Sequence, residues 1–149
     1  MTLRTRWPGT FLSRAEKTRV EEAIAAAELE TSGEIRVMVS RAVKGDPLEA
    51  AKERFTRLKM QDTRERNGVL ILVAVASRRF AILGDEGVHR FVGQEGWEHI
   101  RDGMAERFHS DDFGGGLTYA VAEVAKVLKT HFPLQPDDVN ELPNQIVEE

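Results

Sequence analysis

The sequence predicts an α/β protein, a three-layer α/β/α sandwich in which a small mixed sheet of about four strands or fewer carries helices on both faces. Three observations predict it. The periodicities along the 149 residues run helix, strand, helix, strand, strand, helix, helix. The stretch Val69-Leu70-Ile71-Leu72-Val73-Ala74-Val75-Ala76 is an unbroken apolar, β-branched run, the pattern of a central strand covered on both faces. A strand–helix–strand unit sets its two strands parallel, and a tight turn after the second returns the third antiparallel.

The first long helix opens at Ser13, with Glu16 at capping-box spacing: the hydroxyl takes the Glu16 amide and the carboxylate returns to the Ser13 amide. Val20, Ile24 and Ala27 then recur on one face. Thr31-Ser32-Gly33 ends it, with Gly33 suited to a left-handed cap. Glu34 to Ser40 alternates Ile35, Val37 and Val39 against Glu34, Arg36 and Met38, the period of a strand. Asp46-Pro47 starts the second helix as N-cap and first-turn proline. Leu48, Ala51, Phe55 and Leu58 form its apolar face, and Glu49/Lys52 and Glu53/Arg57 lie at pairing distance outside. Asn67-Gly68 breaks the chain before the apolar run, Ser77-Arg78 turns it, and Arg79 to Leu83 forms the third strand, ended by Gly84. Trp97, Ile100, Met104 and Phe108 mark one further helix; Leu117, Ala120, Val121, Val124 and Leu128 mark another. Residues 1–133 read as one compact domain and 134–149 as an acidic, Pro-containing tail that wraps or frays.

Charge narrows the function. Residues 134–149 hold five acids and no base, so the excess behind the net charge of −4 lies in the tail, and the body is nearly neutral. A bulk nucleic-acid binder needs a strongly basic face, so nucleic acid is not the expected partner. The absence of cysteine excludes disulfides, thiol nucleophiles and Cys-based metal sites, and fits a reducing compartment. Met1 to Gly9 lacks the apolar region of a secretory signal, and the longest apolar run is too short to span a bilayer. A cytoplasmic protein with no transmembrane segment and no organic cofactor is the expectation.

The strand order yields a geometric expectation. Parallel first and second strands begin at one sheet edge, and the hairpin brings the third back to it. Glu34, Asn67 and Asp85-Glu86 therefore belong at one end, and the second helix delivers Asp62 there. Carboxylates converging on loops suit a hard cation, calcium or magnesium, with Glu34, Asp62, Asp85, Glu86, Asp111 and Asp112 as the candidate ligands. Strand ends are also polar simply because they are exposed. The stretch Asp111-Asp112-Phe113-Gly114-Gly115-Gly116 has three readings: a phosphate cradle, disfavoured by its carboxylates; a second cation loop; or an N-cap and tight turn. Arg54, Arg57, Lys59, Arg64 and Arg66 form a basic stretch leading to the acidic edge, either a solvated face or, at Arg64 or Arg66, a clamp for an oxyanion. The histidines lack zinc-motif spacing, and there is no Gly-x-Ser-x-Gly elbow.

Thr31-Ser32-Gly33-Glu34-Ile35-Arg36-Val37, then Arg66-Asn67-Gly68-Val69-Leu70-Ile71-Leu72-Val73-Ala74, then Arg79-Phe80-Ala81-Ile82-Leu83-Gly84-Asp85-Glu86-Gly87, and finally Phe108 through Asp112-Phe113 to Gly116-Leu117 resemble the TPM domain family in order and spacing, over about residues 10–133. The last stretch, with His131-Phe132-Pro133 and Asn140-Glu141-Leu142-Pro143, is similar to a short bacterial branch. The resemblance implies an α/β/α sandwich, calcium binding as regarded for some bacterial members, and the acid phosphatase activity described for a thylakoid-lumen member linked to photosystem repair. The family's usual Gly-Tyr-Gly-Leu-Glu is here Gly84-Asp85-Glu86-Gly87-Val88, and its aspartate before the first helix is absent, so motif positions carry over only to Asp85, Glu86, Asp111 and Asp112. The leading expectation is a calcium-binding module with an assembly or regulatory role toward a protein partner. The alternatives are a metal-assisted phosphatase using Asp85 and Arg66, and a plain interaction domain whose acidic tail docks on a basic partner or on its own body.

Overall fold

A computed structural model describes residues 7–138 and 141–149; Asn140 of the closing motif and the first six residues lie outside the described residues. A short helix α1 (Pro8–Phe11) leads into α2 (Arg14–Glu28), where Ser13 and Glu16 form the expected capping box. Strand β1 (Glu34–Ser40) follows, then α3 (Pro47–Arg57), whose N-cap Asp46 accepts the Leu48 amide at 2.9 Å. Strands β2 (Gly68–Ala74) and β3 (Arg79–Gly84) form the hairpin. Helix α4 (Glu86–His109) kinks at Gly93, α5 (Phe113–His131) follows, and a short strand β4 (Val147–Glu148) closes the chain. The kink has a local cause: Gly93 takes φ +70°, which a side chain would resist.

The sheet order is β3-β2-β1-β4, with β1 parallel to both β2 and β4 and β3 antiparallel to β2. This is the mixed sheet expected. Ile35, Val37, Val39, Val69, Ile71 and Val73 face a core filled by α2, α4 and α5. Met38, Leu70, Leu72 and Ala81 face a second core with α3 and its Phe55. Every residue of β1 and β2 is buried. The polar positions anticipated on β1 are thus covered as well, because the chain after Glu141 lies over them: Leu142 and Val147 join the α3-side core and Ile146 the other.

Two expectations are revised. Gly33 is not a left-handed cap; helix α2 ends at Leu29 in a right-handed conformation. Gly33 is there for contact, since a Cβ on it would lie 2.7 Å from Leu128 Cδ2. Glu53 pairs with Arg54 rather than Arg57, because Arg57 is drawn to Glu149. Of the two courses open to the tail, wrapping and fraying, the stretch from Glu141 onward takes the first and adds β4 to the sheet.

Candidate functional site

The strand starts do converge. Glu34 pairs with Gly68 and donates its amide to the Asn67 carbonyl, while the Asp85 amide reaches the Gly68 carbonyl at 2.9 Å. Asp85 caps α4 through its Oδ1, which accepts the Glu86 amide at 2.8 Å. The same carboxylate is held bidentately by Arg66, Nε to Oδ2 at 2.8 Å and Nη2 to Oδ1 at 3.0 Å, and Arg66 Nη1 lies 3.4 Å from Glu86 Oε1. The Asp85 hydrogen bond, first, and its charge hold the Arg66 guanidinium more firmly protonated. Asp62 is exposed nearby and contributes to the same field. Gly87 closes this corner: a Cβ there would sit 2.2 Å from the Glu65 carbonyl oxygen.

The structure separates the remaining two candidates from these. Asp111 lines a cavity of about 520 Å³ with Val73, Val75, Arg78 and Phe80, at the far ends of β2 and β3. Asp112 is the N-cap of α5, its Oδ1 accepting the Gly115 amide at 3.0 Å. The reason is α4: past the kink at Gly93 its second arm, residues 94–109, runs about 24 Å at about 1.5 Å per residue, about the length of a seven-residue strand, and carries the chain to the opposite end of the sheet. Asp62, Asp85 and Glu86 gather around Arg66, whereas Glu34 turns its carboxylate to Glu28 and the Glu141 amide, and Asp111 and Asp112 lie apart from both. His89 of the Glu86-x-x-His89 pattern accepts the Trp97 Nε1 hydrogen at 2.9 Å.

The most unusual electrostatics belong to a pair the sequence reading missed in part. Glu28, at the end of α2, folds back so that its Oε2 accepts the Ile35 amide at 2.9 Å. Glu34, only 2% exposed, accepts the Glu141 amide through Oε1. The two carboxyls are close enough for the Glu34 charge to act on Glu28, and with both held above the ordinary carboxylate range the pair retains one proton through the neutral range. Burial pushes Glu28 up to about 8, with the neighbouring Glu34 charge adding to it and the Ile35 amide opposing. Burial likewise pushes Glu34 up to about 6, against the Glu141 amide. The pair titrates as a unit. Arg36, 9% exposed, stands close enough to Glu28 for its charge to be felt, and burial lowers its own proton affinity. Glu28 Oε1, Glu34 Oε2 and Asn67 Oδ1 are buried without a hydrogen-bond donor. Glu28 and Glu34 also line a cavity of about 210 Å³ with Thr31, Ser32 and Asp138. The available signal for Glu28 was its position six residues before Glu34, across the short Thr31-Ser32-Gly33 turn that returns one toward the other.

Among the described residues, no group of three or more His, Asp or Glu is placed to hold a metal ion, and no helix is long and apolar enough to cross a membrane. The small mixed sheet, with helices on both faces and a buried acidic pair at the strand starts, defines an α/β sandwich built around one parallel strand–helix–strand unit. Residues 8–127 match the model of the TPM domain, and the chain belongs to that family. The chain is similar to the BA42 protein from the psychrophilic bacterium Bizionia argentinensis, at 37% identity and TM-score 0.85, over 93% of this chain and 96% of that one. It also resembles the N-terminal domain of a P. gingivalis protein, at 25% identity and TM-score 0.62, over 82% and 79%. The N-terminal domain of cg2496 from Corynebacterium glutamicum shares the fold, at 13% identity and TM-score 0.62, over 93% and 81%. No curated protein matches the chain.

Proposed function

We propose that this TPM domain is a small binding module that takes up a divalent cation, calcium or magnesium, at the strand-start edge and serves the assembly or regulation of a protein partner. The observation that carries the reading is the set of buried oxygens without donors, Glu28 Oε1, Glu34 Oε2 and Asn67 Oδ1. Carboxylate and amide oxygens are the ligands a hard cation prefers. The residues present fit such an ion: Glu28 and Glu34 would hold it, and carbonyls and water would complete a shell of about 6–8 oxygens. A bound dication supplies the positive charge that lets both carboxyls ionise. Arg36 opposes it, so the affinity is modest. Asp85 is a poorer ligand, since both of its oxygens already accept hydrogen bonds.

The proton shared by Glu28 and Glu34 must leave on binding, so affinity rises from pH 6 to pH 8. Calorimetric titration with calcium and then magnesium at pH 6, 7 and 8 tests this. No heat at pH 8, or the same heat in Glu28→Gln, removes the reading.

Metal-assisted phosphomonoester hydrolysis is the second reading. It is favoured by the cavity of about 360 Å³ where Lys52 and Arg66 stand beside Asp85. Arg66 would bind the phosphate oxyanion there. A phosphomonoester assay across pH and metals, giving equal rates for the chain and Asp85→Ala, would remove it.

A further inference from the structure

The segment 141–149 is read by the body in detail. Glu141 accepts the Arg64 amide at 3.3 Å, and Glu21 Oε2 accepts the Ile146 amide at 2.9 Å. Glu148 pairs with Lys17 at 3.0 Å. Glu149 is held by Arg57, by Arg54 at 3.5 Å and by the Ser40 hydroxyl at 2.8 Å, and its amide reaches the Val39 carbonyl at 3.0 Å. Ile146 drops on one face of the sheet and Val147 on the other. The bases come from α2 and α3, and the connection after α3 adds the Arg64 amide, so three elements converge on one extended acidic segment. Only two of the seven β1 residues are in the β1–β4 ladder, Met38 with Val147 and Val39 with Glu148. The recognition therefore rests on charges and apolar anchors more than on strand pairing.

We propose that the β1 edge, with Lys17, Ser40, Arg54 and Arg57, is a receptor for an extended acidic peptide of a partner protein, and that the chain's own tail occupies it in cis. The ligand has two adjacent acids preceded by two β-branched or apolar residues, the pattern Ile146-Val147-Glu148-Glu149 presents. It adds to the sheet as a strand. A tethered tail competes at an effective concentration of about millimolar, so the closed chain holds outside peptides weakly and a partner gains access when the tail is displaced. This docking does not depend on the cation reading, and the test is run in EDTA so that the two fail separately.

The test uses the full chain carrying Glu148→Lys and Glu149→Lys, which turns the tail's own charges against the receptor. The probe is a fluorescent synthetic peptide with the sequence of residues 141–149. The charge-reversed chain should bind it at least about tenfold more tightly than the unaltered chain, as release of a tethered competitor requires. Adding Arg54→Ala and Arg57→Ala should abolish that binding. Should the reversed chain lose its circular dichroism, Glu148→Gln with Glu149→Gln removes the latch without repulsion and is read in the same way. Equal binding by the closed and opened chains, or none by a folded opened chain, overturns the proposal. A concentration-dependent dimer of the unaltered chain that the Lys substitutions dissolve would make the occupant a second copy and also overturn it.

Discussion

Replacing Glu28 by Gln isolates the energetics of the shared proton. The amide keeps an oxygen for the Ile35 amide and gains a permanent donor toward Glu34, so the variant mimics the protonated pair at every pH. In the unfolded chain both carboxyls titrate near 4.5, whereas in the folded chain Glu34 loses its proton near 6 and Glu28 near 8. The folded state therefore binds more protons across this interval, and the stability from the pair is fully present below 4.5 and lost as pH rises to about 8. Between pH 6 and 8 the excess is about one proton, a slope of at most about 1.4 kcal/mol per pH unit. Allowing for the partial exposure of Glu28, the native chain should lose about 2 kcal/mol over that interval relative to the variant. Urea unfolding of both chains in EDTA at pH 6, 7 and 8 measures the difference. Glu28→Gln should equal the native chain near pH 6 and exceed it at pH 8. Parallel profiles would refute the shared proton.

Gly84→Ala would place a Cβ 2.2 Å from Trp97 Cζ2, inside the main core, and should cost about 2–3 kcal/mol, seen as a lower thermal midpoint. Thr31→Val removes a buried hydroxyl that donates to the Leu128 and Phe132 carbonyls and accepts the Gly33 amide; the loss should be about 2 kcal/mol in denaturant unfolding. Ser13→Ala breaks the capping box and should cost about 1 kcal/mol with little change in the circular dichroism of the folded chain.

Much of the fold is legible because it rests on local chemistry. The capping box at Ser13, the Asp46-Pro47 helix start and the apolar run of β2 each carry their own signal within a few residues. Other features arise only in tertiary contact. Val147-Glu148 is too short to show a period, and bases from distant elements fix its place. The first half of α4 is obscured by Gly87, Gly93 and Gly96, so Asp85 reads as a free carboxylate when it is an N-cap and the partner of Arg66. The same omission hides that α4 spans the sheet and parts Asp111 and Asp112 from the other acids. The convergence of Glu34, Asn67 and Asp85 was legible because strand direction alone dictates it. The role of Glu28 was not, because its partner comes from across a turn and its burial from the segment that follows α5.

Strands β1 and β2 are covered on both faces and hydrogen-bonded along the whole of their shared border. The amide hydrogens of that border consequently have no local route to solvent and exchange only when the molecule as a whole opens. Deuterium uptake at Met38, whose amide faces β2, and at Ile71 would then report the global unfolding free energy, while the amides of Ile146 and Glu149 would report the smaller cost of lifting the strap. The two readings, taken from one sample, would measure how far the last strand is independent of the sheet it completes.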